Sequence, residues 1–286
     1  MDNALEVQNL NKTYTDFKLD SVSFTLPKGS IMGFVGQNGA GKTTTIRCIL
    51  NMAVRQSGEI KIFGFDNIKD ELNVKQESAA VFDEIFFVDV WRVREVEKAI
   101  KGFYENWDSR QYAEYLKKFE LSPEKKVKDL SRGMKMKLML AVAMSHGAKL
   151  LILDEPTSGL DPVARDELLD ILREYVADGE KSVFFSTHIT SDLERIADFI
   201  TLIDHGNIFY TGTKNGLLEH FCIIKGGKSD LTDELKNEII GLSITSAGFN
   251  GMLPISEIKS LPNGVLKEEP AIDEILVYIS KGGGTP

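Results

Sequence analysis

The sequence predicts an α/β fold built on a mostly parallel sheet, with a helical segment inserted into it. Three observations carry this. Short apolar runs alternate with helical patterns from residue 5 to about 82 and again from 149 to 210. A glycine-rich loop follows one of those runs and opens a helix. Between about 84 and 145 strand signals give way to long charged–apolar helical patterns.

Residues 5–7, 22–26 and 31–35 are short apolar or alternating runs that read as strands, and Lys28-Gly29 reads as a hairpin turn between the second and third. A helix is expected from Gly41 to about Met52, a strand over 59–63 between Gly58 and Gly64, and another over 79–82. Helices are expected over 91–104, 109–119 and 132–146, with Pro123 and the EKKVKD run separating the last two. Strand 150–153, helix 162–177, strand 182–185 and a short helix from Ser191 restore the α/β pattern. Residues 201–203 and 207–210 suggest a hairpin around His205-Gly206. Beyond Gly226 the signals weaken: GGKSD reads as a linker, LTDELKNEIIG as a helix and PAIDEILVYIS as an amphipathic helix.

Composition bounds the function. The 286 residues are 42% hydrophobic and 27% charged, enough for a full core. A net charge of -9 argues against a generic nucleic-acid binder, though not against a local phosphate site. Two widely spaced cysteines, Cys48 and Cys222, suit a reducing compartment, and Cys48 is expected in a helix core. The N-terminus lacks a basic and then apolar leader, and nothing approaches the ~20 apolar residues of a membrane span. A membrane role would need a second chain.

The strongest local motif is GQNGAGKTT at 36–44, which fits G-x-x-x-x-G-K-[ST] through Gly36, Gly41, Lys42 and Thr43. It stands between strand IMGFV and helix TTTIRCIL, where backbone amides and a helix N-terminus can gather phosphate oxygens. Lys42 is expected to reach the β- and γ-phosphates and the Thr43 hydroxyl to ligate Mg²⁺. By itself this motif means only a phosphate-loop nucleotide binder.

KLLILDEPTSGLD at 149–161 is the second signal. A four-residue apolar strand delivers Asp154 and Glu155 to its C-terminal end, the edge at which open α/β sheets bind ligands. Asp154 there can support Mg²⁺, directly or through water, and Glu155 can polarise an attacking water. Strand SVFFS ends in Thr187 and His188, and an imidazole at that edge can sense a γ-phosphate because it both accepts and donates.

Together these residues resemble the ABC transporter ATPases, over about residues 5–210. The diagnostic piece is LSRGM at 130–134, just before the helix that leads toward Asp154. Locally Ser131 also reads as a helix N-cap, which aims amides at a phosphate. The resemblance implies a P-loop NTPase (RecA-like) core with an antiparallel β subdomain. It also implies a helical subdomain inserted at about 84–145 within a nucleotide-binding domain of 1–225, and a small C-terminal extension over 226–286. It implies ATP and Mg²⁺ as ligands. It makes Tyr14 the aromatic that stacks on adenine, with Phe17 a poorer candidate, and residues Gly36, Asn38, Gly39, Ala40, Gly41, Lys42, Thr43 and Thr44 the phosphate loop. Asp154 matches the Mg²⁺-supporting acid, Glu155 the catalytic base, His188 the switch histidine and SGLD, ending in Asp161, the loop that crosses to a sister subunit. Ser131 and Gly133 would contact the γ-phosphate held by the opposite subunit.

Two departures stand out. Arg132 and Met134 replace a Gly and a Gln of the usual LSGGQ, as in exporters with small, separately encoded subunits. In VFDE, Asp83 stands where the family has Gln; an Asp can still ligate Mg²⁺ or water, and Glu84 is the alternative. The apolar run Ile85, Phe86, Phe87, Val88 and Trp91 matches the groove that receives a short helix of the membrane subunit, about half of it also reading as core of the helical insertion.

The resemblance therefore implies the ATP-hydrolysing motor of an ABC-2-like bacterial exporter. It would pair with a second nucleotide-binding subunit, as a homo- or heterodimer, and with a transmembrane permease at the cytoplasmic face of the membrane. The cargo resemblance is to antimicrobial or amphipathic toxin peptides. The alternative is a soluble ABC-type ATPase acting on ribosomes or DNA.

Overall fold

The computed structural model describes residues 2–84, 86–258 and 261–282. Strands β1 (Asn3–Thr13) and β2 (Lys18–Pro27) form an antiparallel pair, interrupted by register shifts, that buries Leu5, Val7 and Leu10 against Val22, Phe24 and Leu26. β3 (Ile31–Val35) is buried throughout and leads through the glycine loop into α1 (Lys42–Ile49). β4 (Ser57–Ile62) and β5 (Phe65–Asp66) complete a four-stranded antiparallel sheet in the order β2-β1-β4-β5. α2 (Glu71–Glu77), absent from the sequence reading, precedes β6 (Ser78–Val81).

The inserted segment carries α3 (Val93–Ile100), α4 (Ser109–Lys118) and α5 (Arg132–Ser145). β7 (Leu150–Leu153), α6 (Pro162–Tyr175), β8 (Ser182–Thr187), α7 (Thr190–Ile196), β9 (Phe199–Asp204) and β10 (Asn207–Thr213) follow. They build a six-stranded sheet in the order β10-β9-β3-β8-β7-β6, parallel except for the β9–β10 hairpin. β3, β7 and β8 are buried on both faces, as parallel strands covered on two sides must be. The hairpin turns on His205 and Gly206, both at positive φ, as a two-residue turn between right-twisted strands requires.

Alternation along β3 divides the interior. Ile31 and Val35 join a core shared with α5 and α6, while Met32 and Phe34 face the antiparallel sheet and α1. On that second side Phe24, Phe34 and Phe184 stack with ring centroids 5.3–5.5 Å apart. Each fully buried Phe contributes about 1.5–3 kcal/mol, so this trio firmly binds the two sheets. Cys48 lies in the same core, as its helix position predicts.

Three expectations need correction. Lys28-Gly29 is not a hairpin turn: β2 and β3 belong to different sheets, because β3 is apolar on both faces and pairs in parallel with β8 and β9. The turn hands the chain from one layer to the next, with Gly29 at φ 78. The weak C-terminal signals conceal a third sheet. After α8 (Lys214–His220), β11 (Phe221–Gly226) pairs with strands that come later, so the expected boundary at 225/226 falls inside a strand. The expected helix over LTDELKNEIIG is only α9 (Asp233–Glu238), and Ile240 starts β12 (Ile240–Ile244). β13 (Phe249–Pro254) and β14 (Leu266–Glu268) complete an antiparallel sheet in the order β12-β13-β11-β14, and α10 (Ile272–Gly282) closes the described chain. One face of this sheet has its own small core around Ile224 and Leu253, while Phe221, Ile223, Met252 and Ile275 join the main core.

Candidate functional site

Parallel pairing brings the expected site together. Val35 stands opposite Thr187 and Leu153 opposite Phe185, so β3, β7 and β8 all end at one edge. The residues that follow each strand, Gly36 onward, Asp154-Glu155 and His188, are thereby neighbours. They border a cavity of about 830 Å³ lined by Tyr14, Asn38, Lys42, Thr43, Asp83, Glu155 and His188 among others.

The phosphate loop has the backbone that such a loop needs. Gly39 and Gly41 adopt φ 82 and 116, accessible to glycine without strain. A Cβ on Gly41 would come within 2.7 Å of Leu19 and 2.8 Å of Phe17, and one on Gly36 would overlap the Ile203 carbonyl. Gly39 meets nothing within 4 Å, so its backbone borders open space. The N-cap of α1 is Gly41, with no side-chain cap and no acid in the first turn. Its first amides are therefore left for an anion, and the helix dipole favours one there. Lys42 is 5% exposed; its Nζ donates to the carbonyls of Gly36 at 2.7 Å and Gln37 at 3.1 Å and lies 3.3 Å from Glu155 Oε1. Ala40 is buried behind the loop, and its carbonyl accepts from the Gly206 amide.

Ser186 organises the acids. Its hydroxyl donates to Asp154 Oδ1 at 2.6 Å and accepts the Glu155 amide at 2.9 Å. Glu155 sits at φ 51, an uncommon conformation for a side-chain-bearing residue, costing of order 1–3 kcal/mol. That backbone turns its carboxylate back over the cavity, where Oε2 lies 2.7 Å from His188 Nδ1. With the proton on Nδ1 the ring donates to Glu155 and keeps Nε2 for the half-open cavity. Ser186 escaped the sequence reading; its place two residues before His188, on a buried strand, was the available signal.

Tyr14 is 46% exposed beside Thr15, Asp16 and Phe17 on the cavity wall, and Lys12 Nζ lies 4.9 Å from its ring centroid. Thr44 lines the cavity as well. Three expected residues lie elsewhere. Ser131 is the N-cap of α5 and accepts from the Met134 amide at 3.2 Å. Gly133, two residues on in the first turn of α5, faces Ala164 of α6. Asp161 caps α6, accepting from Val163 and Ala164, with Pro162 at the first helical position. None of the three lines the cavity.

The donor set suits Mg²⁺. Thr43 and Asp83 on the cavity wall and Asp154, 7% exposed behind it, offer only oxygen, which a small hard cation takes. Such an ion would supply charge neutralisation for a polyphosphate.

The aromatic run splits as expected. Phe86 is 72% exposed, whereas Phe87 and Trp91 pack partly into the main core, and Ile85 lies outside the described residues. Phe82, Phe86, Ile100, Tyr104 and His146 border a second hollow of about 160 Å³. Among the described residues no helix is long and apolar enough to cross a membrane.

A family model described as ABC transporter matches residues 19–158. The chain is 30% identical to the Nod factor export ATP-binding protein I of Rhizobium sp. (strain N33), over 76% of this chain and 73% of that one. It is 33% identical to the bacitracin transport ATP-binding protein BcrA of Bacillus licheniformis, over 73% and 69% respectively. It is 28% identical to the ABC transporter ATP-binding protein YtrB of Bacillus subtilis (strain 168), over 98% of both. A solved ATP binding subunit of an ABC transporter superposes with a TM-score of 0.68 at 28% identity, over 75% of this chain and 91% of that one.

Proposed function

This chain belongs to the ABC transporter ATP-binding family, and from that premise we propose how its residues divide the work. The chain is the ATP-hydrolysing motor subunit of a transporter. Subunits of this family dimerise and act with transmembrane components. The observation that carries the residue assignment is the meeting of Lys42, Glu155 and His188 at one sheet edge beside an uncapped helix N-terminus.

In this reading the loop amides and Lys42 hold the triphosphate, and Tyr14 offers its ring to the adenine. Thr43, Asp154 and Asp83 would hold Mg²⁺, which lowers the charge barrier to attack on the γ-phosphate. Glu155 orients the attacking water and takes its proton. His188 holds the Glu155 carboxylate and offers its second nitrogen to the γ-phosphate. Ser131 and Gly133, outside the cavity of their own chain, complete the site of a second copy. Phe86 and the hollow beside it receive the membrane partner.

For the cargo, the relative named for bacitracin transport supports an exporter of antimicrobial or amphipathic toxin peptides. These relatives are named for transporters, which favours this over a soluble ATPase acting on ribosomes or DNA. The test is ATP-dependent dimerisation of a Glu155→Gln chain followed by light scattering. A dimer that forms with Mg-ATP and is abolished by Ser131→Arg is expected; a monomer at saturating Mg-ATP sinks the reading.

A further inference from the structure

Behind the cavity, the loop after β7 and the helix after β8 are tied a second time. Asp192, four residues beyond His188 on α7, is 0% exposed. Its Oδ2 accepts from Thr157 Oγ1 at 2.6 Å and its Oδ1 from Arg165 Nε at 2.6 Å. Arg165 reaches on to Ser191 Oγ at 2.6 Å. Thr157 stands two residues after Glu155, and Arg165 donates its amide to the carbonyl of Asp161. One buried carboxylate thus holds both ends of the loop from Thr157 to Asp161 against the segment that carries His188.

We propose that Asp192 is a positioning residue for ATP hydrolysis: through Thr157 and Arg165 it keeps His188 in register with Glu155 and couples that pair to the Ser158–Asp161 loop. The inference rests on Glu155 and His188 acting as described above. A carboxylate taken fully out of water is costly unless paired and hydrogen-bonded, and here both requirements are met by residues of one loop and its helix. Both bonds are short and charge-assisted, the kind that fix geometry as well as add energy. The helix bearing Asp192 is itself anchored, because the Leu193 side chain fills the space over Gly33 in β3. A shift of the His188 segment therefore pulls on Thr157, and Thr157 is too close to Glu155 for the carboxylate to keep its place. Packing alone would not need this arrangement, since apolar side chains of similar volume would fill the same space.

The experiment is steady-state ATP hydrolysis by the full chain, with Thr157→Val, Thr157→Ser, Asp192→Asn and the Thr157→Val/Asp192→Asn double variant. Asp192→Asn is expected to lower kcat at least about tenfold while KM for ATP moves less than about threefold. Thr157→Val should lower kcat in the same direction, and Thr157→Ser, which keeps the hydroxyl, should restore it. The double variant should lose no more than the worse single variant, since the bond that Thr157→Val removes is one of the two that Asp192→Asn alters. Unchanged kcat in both Asp192→Asn and Thr157→Val overturns the proposal, as does a loss that appears in KM alone or that Thr157→Ser does not restore. Should Asp192→Asn fail to fold, the Thr157 pair decides by the same criteria. Glu155→Gln run alongside separates the two levels: its full activity would remove the underlying assignment, whereas its inactivity beside unchanged kcat in both Asp192→Asn and Thr157→Val removes only this inference.

Discussion

His188 Nδ1 lies 2.7 Å from Glu155 Oε2, and Lys42 Nζ lies 3.3 Å from the other oxygen of the same carboxylate. One acid is thus flanked by the imidazole and the ammonium expected to meet the γ-phosphate, and its backbone is held at φ 51 to keep it there. Glu155→Gln removes the proton acceptor and keeps the shape. Turnover should fall about a hundredfold or more, the usual contribution of a positioned general base, with ATP binding retained. His188→Ala should cost less, and the double variant should lose less than the product of the two single losses, because the histidine acts in part through the base it holds. Steady-state hydrolysis and equilibrium binding of ATP check both; a double variant whose losses multiply would separate the two residues.

Gly36→Ala tests the phosphate loop. Its Cβ would run into the Ile203 carbonyl, and backbone cannot step aside as a side chain can. A destabilisation of roughly 1–3 kcal/mol is expected, with loss of ATP binding because the loop must move. Thermal melts with and without ATP measure both effects: the parent should gain stability from the ligand and the variant should not.

Phe86→Ser addresses the membrane partner. At 72% exposure the ring contributes little to this chain's own core, so stability should change by less than about 0.5 kcal/mol. Its ATP binding should match the parent's. Association with the cognate transmembrane subunit in detergent should weaken, and an unchanged pull-down would remove Phe86 from the docking surface.

His146 gives the chain an acid-sensitive element. It is 1% exposed, stacks on Tyr104 with centroids 3.9 Å apart, and burial holds its pKa below the usual 6.5. Below pH 6.5 the unfolded chain takes up a proton at this position that the folded chain refuses. The stability tied to His146 is therefore complete above that pH and declines as pH falls toward the lowered folded value, by at most about 1.4 kcal/mol per pH unit. His146→Phe keeps the stack and cannot titrate. Urea melts at pH 7.5 and 5.5 should show a smaller acid loss for the variant; equal losses would mean that His146 titrates alike in both states.

The sequence by itself determined which residues meet at the sheet edge. The phosphate loop, the two acids and the histidine each occupy a few consecutive residues next to an apolar run, and parallel strands of similar length must deliver their C-terminal ends to one side. Those signals are local, so they are legible without coordinates. Tertiary structure alone decided what depends on distant partners. The Thr157–Asp192–Arg165 tie joins residues 35 and 27 positions apart, and nothing in either neighbourhood marks the others. Lys28-Gly29 looks like any hairpin turn until burial on both faces commits β3 to the parallel sheet. The C-terminal sheet stayed hidden because its strands are short and their apolar residues are divided between two cores, which blurs the alternation that a one-sided sheet would show. Pairing and burial belong to the folded whole, and there the tertiary structure settled which of the locally allowed forms the chain takes.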